Sequence, residues 1–176
     1  MITLSPEAQF TMLSSMNHSH AILIGIAALV LGGLFIFTTP SPVSDTQTTR
    51  TNREIATTCD KEMAQGYHIH PTLEIIVNGE NIPIPPNVGV QATCMTALHT
   101  HSPDGLIHVE SPEKRDFTLA DFFAVWNKPF SKDQILNYRA DENHKITVKV
   151  NDQIVETFEQ TVLKDKDRIV ITYELR

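Results

Sequence analysis

Tyr67-His68-Ile69-His70-Pro71-Thr72-Leu73-Glu74-Ile75-Ile76-Val77-Asn78-Gly79 decides how the rest of the chain is read. Tyr67, Ile69, Leu73, Ile75 and Val77 fall on one face of an extended chain, and His68, His70, Thr72 and Glu74 on the other. A period of two belongs to a strand with one face in a core. Asn78-Gly79 tolerates the positive φ angles of a tight hairpin turn. A strand is therefore expected over residues 67–77, with a return strand over 80–84 stopped by Pro85-Pro86. Side chains two apart project from the same side, so His68 and His70 point together, away from the apolar face.

Working outward, the same geometry applies to Leu98-His99-Thr100-His101-Ser102-Pro103-Asp104-Gly105-Leu106-Ile107-His108-Val109-Glu110. Residues 94–101 read as one strand and 106–110 as its partner. Ile107 and Val109 as a core pair put His108 and Glu110 on the opposite face, and His99 and His101 share a face. A two-residue loop at Pro103-Asp104 sets His99 across from His108. A three-residue loop that includes Gly105 sets Thr100 there instead, and Pro-Asp-Gly suits that turn equally well. Five of the 8 histidines lie between positions 68 and 108. If the strands are neighbours, these imidazoles and the Glu110 carboxylate meet on one polar surface. Imidazole suits zinc and copper, and three or four of them with an optional carboxylate make a normal first shell. The nearby soft donors Met95 and Cys94 would favour copper. The bland alternative is a polar sheet face whose histidines are solvated or hydrogen-bonded. His144, alone in a polar loop, takes that reading, and His18 and His20 are weak candidates beside an apolar run.

Further along the period changes. Leu119, Phe122, Phe123 and Trp126 recur at helical spacing, and Thr118 with Asp121 resembles a capping box. This predicts a short helix over residues 119–126. Ser131 with Gln134 repeats the pattern and predicts a second one to about Tyr138. One helical turn is also expected over 59–65. Alternation then returns at 145–150 and 169–175, with Asn151-Asp152 as a turn. The expected fold class is α+β, a mainly antiparallel sheet of hairpins with one or two short helices. The strand and helix order loosely resembles a β-grasp arrangement. The last third is similar to ubiquitin-like sulfur carriers, but the ending Glu174-Leu175-Arg176 lacks their Gly-Gly, so the resemblance concerns fold alone.

The chain has 176 residues and a net charge of −7 with both signs intermixed. No basic patch could follow a phosphate backbone, so no nucleic-acid partner is expected. Residues 1–20 form a polar tail. Residues 21–37 are uncharged and apolar, about 25 Å as a helix, and 21–39 are read as a single-pass membrane anchor. A cleaved signal peptide is the alternative, but a basic n-region is missing. Residues 40–58, rich in Ser, Thr and Pro, are expected as a flexible spacer, and 59–176 as an extracytoplasmic domain. Its 2 cysteines, Cys59 and Cys94, fit no zinc-ribbon spacing. They have three readings: a disulfide in an exported domain, thiolate ligands, or buried thiols.

The His99-Thr100-His101 and Asp104-Gly105 motif resembles the opening motif of PHP-type metallophosphoesterases, in which such a pair would bind divalent metals for hydrolysis. No later His-x-His follows here, as that family requires. The longer pattern from Tyr67 to Trp126 reads His-x-His-Pro, Asn-Gly, Ile-Pro-x-x-x-Gly, Cys-x4-His-Thr-His, Gly-x-Ile-His-Val-Glu-Ser-Pro and Phe-Thr-Leu-x-Asp-Phe-Phe-x-x-Trp. It resembles a family of small, mostly uncharacterised prokaryotic domains that are anchored or exported. That resemblance implies one domain with linked histidine motifs and brings no activity with it. The expected function is transition-metal binding, copper or zinc, through His68, His70, His99, His101, His108 and Glu110, for handling or sensing. No nucleophile–base pair points to catalysis. The alternatives are an interaction module with a membrane-protein partner and a metal-dependent hydrolase.

Overall fold

The computed structural model describes residues 50–62 and 66–176, which fall within one compact unit. The apolar run at 21–37 lies outside the described residues, and among the described residues no helix is long and apolar enough to cross a membrane. In chain order the elements are α1 (Asn52–Thr57), β1 (Cys59–Asp60), β2 (Tyr67–Ile69), β3 (Thr72–Val77), β4 (Glu80–Asn81), β5 (Met95–Thr96), β6 (Leu98–His99) and β7 (His108–Ser111). Then come α2 (Leu119–Trp126), β8 (Phe130–Ser131), β9 (Gln134–Ile135), β10 (Tyr138–Arg139), β11 (His144–Val150), β12 (Gln153–Val155) and β13 (Arg168–Leu175). The fold is α+β, with mainly antiparallel sheets and two short helices.

The largest sheet has the order β12-β11-β13-β3-β4. Its central pair, β3 and β13, is parallel, with Ile75 opposite Ile171, and the other pairs are antiparallel. Two tight turns close its hairpins. Asn78 and Gly79 have φ of 51° and 86°, and Asn151 and Asp152 have φ of 50° and 68°, the twist that matches adjoining strands. A second sheet, β2-β7-β6, is antiparallel throughout. Helix α2 supplies Leu119, Phe122 and Phe123 to the common core, all buried. Burying one such side chain contributes about 1.5–3 kcal/mol. The Asp121 carboxylate accepts from the Thr118 N–H at 3.0 Å and from its hydroxyl, tying down the helix start. Asn127, at φ 56°, ends it.

Several expectations need correction. The strand expected over 67–77 is divided, with β2 pairing with β7 in one sheet and β3 with β13 and β4 in another, and the return strand expected over 80–84 is only Glu80–Asn81. Residues 131–138 are not a helix but the small sheet β8-β9-β10. The Ser131 hydroxyl accepts from the Asp133 N–H at 3.2 Å, a local turn that competes with capping, and Leu136 sits at φ 51°, incompatible with helix. Cys59–Asp60 is not helical either: it pairs with Met95–Thr96. The expected spacer stops short of 58, because Asn52–Thr57 is a helix whose Ile55 and Ala56 join the core. Thr51 and Glu54 cap it reciprocally, and Arg53 Nε meets Asp121 Oδ1 at 2.9 Å, linking it to α2.

Gly105 joins the two sheets. Its carbonyl accepts from the Leu73 N–H at 2.8 Å, and Ile107 N–H donates to Pro71 O at 2.9 Å. A Cβ at Gly105 would fall on the Leu73 carbonyl oxygen, and φ there is +78°. Gly79 has a similar φ of +86° but open space around it. Urea unfolding should therefore separate the two: Gly79→Ala costs about 1 kcal/mol through conformation alone, and Gly105→Ala about 1–3 kcal/mol more because the backbone must also move. Equal losses would contradict this account of the junction.

Candidate metal centre

The register of the three-stranded sheet builds the site. Ile69 faces Val109 across β2 and β7, and Leu98 faces Val109 across β6 and β7. All three are buried. Because successive side chains alternate, the next positions turn to the other face. There His68 lies opposite Glu110, and His99 opposite His108. His70, just past the end of β2, continues the row: its ring centroid is 4.8 Å from that of His108. His108 is also 5.2 Å from His99, stacked upon it, and 4.8 Å from His101. With His68 at 5.8 Å, the other four sequence-predicted histidines are thus gathered around His108.

Of the two registers considered from the sequence, the observed one sets His99 across from His108. The connection is nevertheless not a two-residue hairpin. After His99 the chain leaves β7, and Thr100 exchanges backbone hydrogen bonds with the 87–88 segment: Asn87 N–H donates to Thr100 O at 2.9 Å, and Thr100 N–H to Val88 O at 3.0 Å. The Asp104 carboxylate accepts from the Leu106 N–H at 3.0 Å and shapes the return. The expected continuous strand over 94–101 is divided, since β5 pairs with β1 and β6 pairs with β7. A disulfide between Cys59 and Cys94 fastens the β1–β5 pair. It leaves Cys94 no thiolate to offer, so the soft-donor argument for copper loses that residue.

His99 is the most constrained ring. It is fully buried, and its Nδ1 lies 3.0 Å from the Thr96 carbonyl oxygen. A carbonyl only accepts, so Nδ1 carries the proton and Nε2 carries the lone pair. That Nε2 is buried and has no hydrogen-bond partner among the described residues. A buried acceptor without a partner costs free energy, and metal coordination would supply the missing bond. At the other end, His68 Nε2 is 3.1 Å from Glu110 Oε1. When His68 is neutral, the proton it donates to that carboxylate sits on Nε2, which leaves Nδ1 free to ligate. His70 is held through its backbone, whose N–H donates to Asp165 Oδ1 at 3.0 Å.

Two groups of three ligand atoms each lie within 4.8 Å of one another: His68, His70 and His108, and His99, His101 and His108. Metal–nitrogen bonds of about 2.0–2.1 Å place tetrahedral ligand atoms about 3.3 Å apart, so a modest rotation of side chains closes either group on an ion. Three imidazoles leave a coordination position for water or another donor. The protonation balance favours ligation. Burial is the main cause that pushes His99 below its ordinary pKa, opposed by the Thr96 hydrogen bond and the Glu110 charge. His108 is pushed down to about 4, first by burial and then by charge on His99, His101 and His70. Both are neutral at pH 7, the form that binds a metal.

His144 stands apart from the cluster, at the start of β11 rather than in the polar loop expected: it pairs with Asp141 at 3.0 Å and stacks on Tyr173. Sequence reasoning missed Thr96 and Asp165, which orient His99 and His70. Asp165 is 95 positions from His70, beyond any local pattern. No family model, no curated protein and no solved structure matches the chain.

The depressed histidines make the metal-free domain acid-sensitive. Below the ordinary value of 6.5 the unfolded chain takes up protons at positions 99 and 108 that the folded chain refuses. Stability is therefore complete above about pH 6.5 and falls as pH drops toward about 4. Thermal unfolding of chelator-treated protein should show Tm falling from pH 7 to pH 5, with a shallower fall in His108→Gln. Parallel slopes in the two proteins would contradict the assignment.

Proposed function

We propose that this chain is a membrane-anchored, extracytoplasmic domain that binds a transition-metal ion through His68, His70, His99, His101 and His108. Its role is metal handling or sensing, and Glu110 orients His68 from behind. The observation that carries the reading is the buried, unpartnered Nε2 of His99, held toward neighbouring imidazoles by the Thr96 carbonyl. A surface histidine with no ligand to serve would not need a buried lone pair. Copper and zinc both suit an all-imidazole shell, and Cu(II) binds such donors more strongly than Zn(II). The disulfide supports an oxidising compartment and so the extracytoplasmic side. Residues 21–39 would anchor the domain, and a membrane-protein partner would receive or deliver the ion. We read the order β4-β3-β13-β11-β12, with its parallel centre, as β-grasp-like. Such a frame would leave the three-stranded sheet free to carry the site.

The full chain, purified in mild detergent and loaded with Zn(II) or Cu(II), should retain one equivalent by elemental analysis. His108→Ala should lose it. Glu110→Gln should keep the stoichiometry, because the carboxylate acts through His68, whose ring remains. Metal-free wild type after loading would refute the reading.

A further inference from the structure

We infer that the five histidines form two overlapping seats for one ion, both using His108, and that the ion passes from an outer seat to an inner one. This rests on the metal-binding reading above. The outer seat is His68, His70 and His108, and the inner seat is His99, His101 and His108. His108 contacts both pairs: its ring centroid lies 4.8 Å from His70 and 5.8 Å from His68 on one side, and 4.8 Å from His101 and 5.2 Å from His99 on the other.

The two seats differ in chemistry. Each seat has one exposed ring, His68 in the outer and His101 in the inner. The outer pairs it with half-buried His70 and the inner with fully buried His99, so an arriving hydrated ion reaches more of the outer seat's rings. The Glu110 carboxylate beside His68 attracts the cation and strengthens that ring as a donor. In the inner one, His99 is already dehydrated and its lone pair fixed in direction by Thr96. Little is lost on coordination there, and an unpartnered buried acceptor gains its bond, so the inner seat holds the ion more tightly. The outer seat therefore governs capture and the inner seat retention.

Sharing His108 makes the seats exclusive. A neutral imidazole has one lone pair, and bridging two ions would require its N–H proton to leave as well. Two dications this close would also repel, with the Glu110 carboxylate the one acid among the described residues paired directly to these rings. Transfer is a ligand exchange with no change of oxidation state. His108 stays bound while His68 and His70 are released, and His101 and His99 each donate a lone pair in their place.

The test uses the full chain, Zn(II) and a competing chromophoric chelator, with loading followed by stopped flow. His68 and His101 are both exposed, so His68→Ala and His101→Ala alter each seat without disturbing the core. Wild type binds one equivalent. His68→Ala keeps its affinity within about threefold but loads at least about tenfold more slowly. His101→Ala loads at the wild-type rate but binds at least about tenfold more weakly. Two equivalents bound by wild type would overturn the inference in favour of a dinuclear centre. Loss of all binding in both variants would overturn it in favour of one site that needs every histidine. Absence of binding by wild type would remove the metal reading itself.

Discussion

The arrangement depends on one constraint, the pairing register of β2, β7 and β6. Ile69, Val109 and Leu98 must face the core together, and their burial fixes the register, because a slip by one residue would turn all three into solvent. The opposite face then has no freedom. His68 must meet Glu110, and His99 must meet His108. The polar cluster is thus a by-product of apolar packing on the other side of the same strands. Hydrophobic burial, the largest stabilising term in the fold, offsets the cost of crowding five imidazoles.

Backbone groups do much of the remaining positioning. The Thr96 carbonyl sets the tautomer of His99, and the Asp165 carboxylate holds the main chain of His70. Gly105 locks the loop between the histidine strands to β3, and the disulfide secures β5 beside Thr96. These supports come from four separate regions of the chain. A backbone held in this way is in place before any ligand arrives, so binding would have to order only the side chains.

Much of this was legible in the sequence, for stated reasons. Alternation over residues 67–77 marked extended chain with one buried face, and Asn78-Gly79 its turn, but the pattern does not show that the chain changes sheet between Ile69 and Thr72, where β2 ends and β3 begins. The α2 boundaries followed from Leu119, Phe122, Phe123 and the Thr118–Asp121 pair. Ile107 and Val109 correctly implied that His108 and Glu110 face the other way. The failures have physical causes as well. Ser131 with Gln134 looks like a helix start, but a Ser hydroxyl serves a tight turn equally well. Thr51 and Glu54 were an equally good capping signal inside a stretch whose composition suggested a spacer. The parallel pairing of β3 with β13 and the reach of Asp165 to His70 span most of the domain, so no local pattern carries them.

The central claim is that His99 presents a bare Nε2 to an ion shared with His108. Long-range nitrogen–proton correlation spectra of the histidine rings, recorded before and after one equivalent of Zn(II), address it directly. The account predicts His99 as the Nδ1–H tautomer without metal. On addition of zinc, its Nε2 resonance and one ring nitrogen of His108 should shift together. A His99 ring protonated on Nε2, or ring nitrogens at positions 99 and 108 unmoved by zinc, would contradict it.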